Sequence, residues 1–322
     1  MITLLDSKKI LIVAPTRLGD AIFTTPTIKI LREAKPDAII DVVNSSKLCE
    51  EVYSNNPHID HLFDASELDK SSLETEYDII LPMQDNSNTK RFLEGLSNVH
   101  MIHKNPGNTH HKEYCYRFIN KLLGVDNPGP VPNYELYPDQ KQANYIDNIF
   151  LENNILNKQK IVAIHMGVNR TMRYGNKILK RMFGNKFNSD DARCWSFKNY
   201  SLLIKKILNS IPDCIVIITG TPEEQFLSKY ISKNDRVINL IGKTSVLELA
   251  ALFTKCNVLL TADTGPLHVA SAMSLSTVSL FGPTEPERAG PHPMSDGHIV
   301  INKSKLQDIT VDEVFCAIKK FL

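Results

Sequence analysis

Cysteine pairing is missing from this sequence. The six cysteines, Cys49, Cys115, Cys194, Cys214, Cys256 and Cys316, lie far apart and form no C-x-x-C pair, which removes the usual spacing of a zinc site or a thioredoxin-like redox motif. Several sit in apolar segments, where a reduced, buried thiol behaves as a small hydrophobe, and such usage suits a reducing compartment. An excess of charge is missing too. The 37 basic residues against 36 acidic ones leave a net charge of +1, so the molecule as a whole is no electrostatic binder of nucleic acid, and a charge-driven partner must meet a local patch. No apolar stretch approaches transmembrane length, and the run Ile10–Ala14, preceded by Asp6, Lys8 and Lys9, is too short for a signal-peptide core. The expectation is a cytoplasmic protein, with at most peripheral contact with the cytoplasmic face of an inner membrane.

Several catalytic signatures are absent as well. No G-x-G-x-x-G follows a strand-like run, and there is no G-x-x-x-x-G-K-[ST], H-E-x-x-H or G-x-S-x-G, which removes the dehydrogenase, P-loop, zincin and hydrolase fingerprints. No D-x-D pair is present to hold a metal on a diphosphate. A diphosphate handled by this chain is therefore expected to be neutralised by the protein's own groups, with no metal site and no cofactor.

What is present is a regular alternation. Apolar, β-branched runs predict strands at Ile10–Ala14, Ala38–Val43, Asp78–Leu81, Ile161–His165, Cys214–Thr219, Val258–Ala262 and Thr277–Phe281. They are continuous rather than alternating, as parallel strands covered on both faces are. Helical patterns lie between them, among them Lys198–Asn209, Pro222–Ile231 and Ser245–Lys255, the last opened by the capping-box pattern Ser245-Val-Leu-Glu248. This order predicts an α/β chain with open doubly wound sheets.

The pattern starts twice, at Lys9-Ile-Leu-Ile-Val-Ala-Pro15 and at Lys160-Ile-Val-Ala-Ile-His-Met-Gly167. About 320 residues suffice for two cores of roughly 150 residues each. The expected division is into residues 1–155 and 156–322, with a ligand-binding cleft between the carboxyl ends of the two sheets.

Two strand-to-helix turns carry the candidate chemistry. The first is Ala14-Pro-Thr-Arg-Leu-Gly-Asp-Ala21. There Asp20 is either a helix N-cap or a general base, and Arg17 is a candidate anion-binding group beside it. Pro26 fits either the first turn of a helix capped by Thr25 or the interior of a longer one. The second turn is Thr261-Ala-Asp-Thr-Gly-Pro-Leu-His-Val-Ala270. Its helix start, with Pro266 suited to the first helical position, offers N–H groups and a positive dipole end to an anion. Thr264, Gly265 and His268 can add donors. A further turn, Phe281-Gly-Pro-Thr-Glu-Pro-Glu-Arg288, follows the last predicted strand. The stretch Arg170–Lys186 is basic and amphipathic, with Arg170, Arg173 and Lys177 but no acidic residue. It is either a solvated insertion or a surface for an anionic lipid or acceptor. Lys90, Arg91, Lys104, His110 and His111 either meet acceptor phosphates or are solvated surface, and the second is expected.

These turns resemble those of glycosyltransferase family 9, the ADP-heptose:lipopolysaccharide heptosyltransferases. Ala14–Ala21 is similar to the family's Gly-Asp segment, and Asp263–Pro291 to its D-T-G-x-x-H and F-G-P-T-x-P block, with Ser276-Thr-Val-Ser-Leu-Phe-Gly-Pro-Thr284 in the middle. The resemblance implies a GT-B fold, in which two Rossmann-like domains face a central cleft, the first binding the acceptor and the second a nucleotide-sugar. It also implies an inverting transferase in which Asp20 is the base and Asp263, Thr264, Gly265 and His268 hold the donor diphosphate. Gly220-Thr-Pro-Glu-Glu224 matches the family's Gly-Gly-x-x-Glu, so that Glu224 or Glu223 would accept from ribose hydroxyls. Arg193, in Arg193-Cys-Trp-Ser196, stands where the family has a phosphate-binding Lys, and it offers a planar fork in place of a point charge. The implied partners are an ADP-sugar donor and a lipopolysaccharide-type acceptor. The rival expectations are a nucleotide-sugar epimerase of the same fold, and a degenerate member that binds a nucleotide or lipid without turnover.

Overall fold

The computed structural model describes residues 4–103, 107, 109–156, 158–168, 194–231 and 233–322. They form two compact units that divide between Tyr137 and Pro138.

The first unit is built on four parallel strands: β1 (Lys9–Val13), β2 (Ile39–Asn44), β3 (His61–Asp64) and β4 (Ile79–Pro82), in the order β3-β2-β1-β4. The chain steps outward from β1 to β3, then returns to place β4 on the other side of β1. Order therefore reverses between β1 and β4. At such a switch point the loops leaving the carboxyl ends diverge and open a crevice. Ile10, Leu11 and Ile12 are buried on both faces.

The 17-residue helix Leu18–Ala34 follows β1 and contains Pro26, so Thr25 is no cap. A proline inside a helix removes the amide that would bond the carbonyl four residues back, here that of Ile22. The Thr25 hydroxyl donates to this carbonyl at 2.9 Å, and itself accepts from the Glu135 amide at 3.0 Å.

The second unit carries β5 (Lys160–His165), β6 (Cys214–Thr219), β7 (Val237–Asn239), β8 (Val258–Ala262), β9 (Ser276–Phe281) and β10 (His298–Asn302), all parallel, in the order β10-β9-β8-β5-β6-β7. Its reversal falls between β5 and β8. The helix Phe197–Ser210 buries Tyr200, Leu203, Ile204 and Ile207, the spacing of a single helical stripe. Trp195 closes that core, donating from Nε1 to the Ile309 carbonyl at 2.9 Å and meeting the Tyr200 ring edge-on at 4.8 Å.

The expected boundary near residue 155 is corrected. The helix Gln140–Glu152, opened by an Asp139–Gln142 capping box, packs on the helix Val246–Phe253 and so belongs to the second unit. Lys255–Asp147 at 2.6 Å and the Tyr145 hydroxyl on the Lys243 carbonyl at 2.6 Å tie it there. The capping box at Ser245 and Glu248 is formed. Among the described residues, no helix is long and apolar enough to cross a membrane.

Candidate active site

Asp20 stands where β1 gives way to the helix Leu18–Ala34, at the switch point of the first sheet. Arg17, in extended conformation, is the N-cap, and Asp20 is the third helical residue. The cap alternative for Asp20 is thereby removed. The loops after β1 and β4 are joined through Gln84, which accepts from the Thr16 amide at 3.3 Å and donates to the Ala14 carbonyl at 3.2 Å. Burial pushes the Asp20 carboxyl above the usual aspartate range, while the charges of Arg17 and His111 pull it back. A carboxylate so raised is a better proton acceptor than one in water.

His110 and His111 do not behave as solvated surface. His110 is buried and caps the helix His111–Leu122, accepting from the Lys112 amide at 3.2 Å. Its ring meets that of Phe23 edge-on at 5.3 Å, and His111 stacks on the same ring at 5.9 Å. Lys112 is fully buried with its amino group 4.3 Å from the centre of the Tyr134 ring, and burial lowers its pKa to about 8. Lys90 and Arg91 do remain exposed, the former paired with Asp85 at 2.6 Å. Neither Lys112 nor Tyr134 belongs to any motif legible in the sequence. Their only sequence signal is that two histidines and a lysine open a helix.

In the second unit the turn Asp263–Gly265 leaves β8 at the corresponding switch point. Thr264 is the N-cap of the helix Gly265–Ala272, but its hydroxyl pairs with that of Thr261 at 2.7 Å and caps nothing. Gly265 is the first helical residue and Pro266 the second, one place later than expected. His268 is buried within the first turn. The turn thus presents the positive end of a helix dipole at the carboxyl edge of the sheet, which favours a phosphate.

Glu224 lies beyond the carboxyl end of β6, which β5 separates from β8. It is 1% exposed, while Glu223 is exposed, which separates the two carboxylates left open by the sequence. Its Oε2 accepts from the Thr221 amide at 2.9 Å in a capping box. The rest of the carboxylate fills the place of a side chain at Gly167, where a Cβ would lie 1.8 Å from Oε1. A carboxylate has about four acceptor positions, of which the Thr221 amide takes one. His165 is buried beside it, its pKa lowered by burial and raised by the Glu224 charge, and bonds the Thr219 hydroxyl at 3.3 Å.

Arg193 and the basic residues Arg170, Arg173 and Lys177 lie outside the described residues. Among the described residues no cluster of three His, Cys, Asp or Glu side chains is arranged to hold a metal.

Comparison with known proteins follows the same lines. The sequence profile of Glycosyltransferase family 9 (heptosyltransferase) matches residues 88–315, more than half of the chain. A lipooligosaccharide heptosyltransferase 2 of Campylobacter jejuni is 27% identical over 124 residues, 37% of this chain and 38% of that protein, so the match spans well under half of this relative. A lipopolysaccharide heptosyltransferase 1 of Campylobacter coli is 21% identical over 298 residues, 86% of this chain and 84% of that one. Among solved structures, an Escherichia coli heptosyltransferase with ADP-2-deoxy-2-fluoro heptose superposes with a TM-score of 0.67 at 17% identity, covering 97% of this chain and 99% of that chain. The last likeness is one of fold, and the class is GT-B.

Proposed function

Since this chain belongs to glycosyltransferase family 9, we propose that it moves a heptose-type sugar from an ADP-sugar to a lipopolysaccharide core or related glycolipid acceptor. The transfer is a single displacement that inverts the anomeric carbon. Asp20 takes the proton of an acceptor hydroxyl as that oxygen bonds to the anomeric carbon, and the bond from that carbon to the diphosphate oxygen breaks. Charge developing on the departing ADP is met by the helix start at Thr264–His268 and by Arg193, with Asp263 in the same turn. This is electrostatic stabilisation by fixed groups, and no metal is needed for it. Glu224 accepts from the ribose hydroxyls. The first unit supplies the acceptor side, the second the donor side, and the reaction takes place at the cytoplasmic face of the inner membrane.

The observation that carries this reading is the placement of two turns. Asp20 and Asp263–Gly265 each stand at the switch point of their own parallel sheet, where open α/β sheets bind ligands. The fluoroheptose donor analogue named for the E. coli structure supports the ADP-sugar.

Calorimetric titration with ADP, UDP and GDP in EDTA tests the donor. ADP is expected to bind selectively, and transfer from ADP-heptose to heptose-deficient lipopolysaccharide is expected to persist in EDTA. Preference for UDP or GDP would move the donor, and strict magnesium dependence would contradict the metal-free scheme. Binding without turnover would indicate a degenerate member, and an altered sugar formed from donor alone would indicate an epimerase.

A further inference from the structure

The first turn of the helix Leu18–Ala34 carries Asp20 but is held only weakly by its own residues. Leu18, Gly19 and Asp20 are partly exposed, and continuous burial begins at Ala21. The N-cap is Arg17, which makes no side-chain cap, because a guanidinium has no acceptor to offer an amide. Its backbone carbonyl takes the first helical bond, from the Ala21 amide at 2.9 Å. Where this turn sits therefore depends on Ala14, Pro15 and Thr16, which join Arg17 to the end of β1.

Backbone pairing with β4 stops just short of these residues. β1 and β4 pair from Ile10–Ile79 to Val13–Pro82, and the Met83 amide adds a bond to the Val13 carbonyl at 3.0 Å. Ala14 turns its amide the other way, to the Val43 carbonyl at 2.9 Å. The next residue placed to donate to β4 is Pro15, which has no N–H. The side chain of Gln84, one residue beyond Met83, takes over. Its Oε1 accepts from the Thr16 amide at 3.3 Å, and its Nε2 donates to the Ala14 carbonyl at 3.2 Å. A flipped amide would set donor against donor and acceptor against acceptor, so one orientation alone satisfies both ends. We infer that Gln84 is a positioning residue for Asp20: its side-chain amide continues the tie between β1 and β4 past Pro15 and fixes the first turn of the Asp20 helix at the carboxyl edge of the sheet. The inference rests on the reading of Asp20 as the base.

Two variants of the full chain test it. Gln84→Met keeps the length of the side chain and removes both hydrogen bonds, whereas Gln84→Glu keeps the acceptor for Thr16 and removes the donor for Ala14. Hydrogen exchange at the Thr16 amide, followed by NMR, reads the tie directly. Thr16 is exposed, so its amide should exchange as a free loop does once Gln84 releases it. Protection is expected to be lost in Gln84→Met and kept in Gln84→Glu, while the β1 amides stay protected in both and show that the first sheet is folded. For transfer from ADP-heptose to heptose-deficient lipopolysaccharide, kcat should fall roughly 10- to 100-fold in Gln84→Met, the range a misplacement of up to about 1 Å produces. It should fall by less in Gln84→Glu, and ADP affinity should stay constant in both. Added to Asp20→Asn, Gln84→Met should cost nothing further, because groups that act as a unit are not additive. Native Thr16 protection in Gln84→Met, native kcat in that variant, or an equal further loss on top of Asp20→Asn overturns the inference. Full turnover in Asp20→Asn removes Asp20 as base, yet Thr16 exchange still decides whether Gln84 holds the loop, so the two readings fail separately.

Discussion

Asp20→Asn is expected to lower turnover by roughly 10²–10⁴-fold, the range a positioned general base supplies, while ADP binds nearly as before. The side chain keeps its shape and its place in the first turn of the helix Leu18–Ala34, so helix and sheet have no reason to rearrange. What it loses is a lone pair able to take a proton. That capacity is stronger here than in water because burial raises the carboxyl's pKa. ADP binding is spared because the proposed nucleotide groups belong to the other unit. Release of ADP from ADP-heptose in the presence of acceptor measures the first quantity, and calorimetry the second. A variant with native turnover would exclude Asp20. One that lost ADP binding as well would show that its role extends beyond proton transfer.

Gly167→Ala is the second change with a large expected effect. Its methyl group would occupy the space of the Glu224 carboxylate, 1.8 Å from Oε1 and 2.2 Å from Cδ. Glu224 has to give way, yet it is buried and holds the Thr221 amide. Loss of that cap costs about 1 kcal/mol, a melting shift of a few degrees for a unit of this size. Hydrogen bonds to a charged acceptor contribute about 1.5–3 kcal/mol, so ADP affinity should fall by roughly 10- to 100-fold if Glu224 serves the ribose. Glu224→Gln, which retains one carbonyl acceptor and adds no bulk, should fall between the two. Native ADP affinity in Gly167→Ala would remove Glu224 from the nucleotide site and leave it a purely structural cap.

The predicted strands are the ones buried on both faces. β6 and β8 coincide with their apolar runs, and β5 and β9 begin one residue before theirs. β1 is displaced by one residue towards the N-terminus, and β2 and β4 by one residue towards the C-terminus. The three strands missing from the sequence reading, β3, β7 and β10, are all at sheet edges. Unlike the buried edge strand β4, these three are partly exposed, so His61–Asp64 and Val237–Asn239 never form the continuous apolar run that marks a buried strand. The switch-point turns were legible because a strand, a Gly and a helix start follow one another within a few residues. The Gly167–Glu224 contact was not, because the two residues are far apart in sequence and meet only when β5 and β6 pair. The burial of His110 and Lys112 and the stacking of His111 are illegible in the sequence for a related reason. A polar tripeptide reads as solvated until Phe23 and Tyr134, brought from distant segments, close over it.

The proline in the Asp20 helix restricts the order in which this region can change. Thr25 serves two groups, the Ile22 carbonyl that Pro26 leaves without an amide and the Glu135 amide beyond the helix. Replacing Thr25 by valine first would strand both in a site from which water is excluded, at about 1–3 kcal/mol for each group. Replacing Pro26 by alanine first returns a backbone donor to Ile22, so a later loss of the hydroxyl strands only Glu135. One mutational path through these neighbours is steep and the other shallow, although both end at the same sequence.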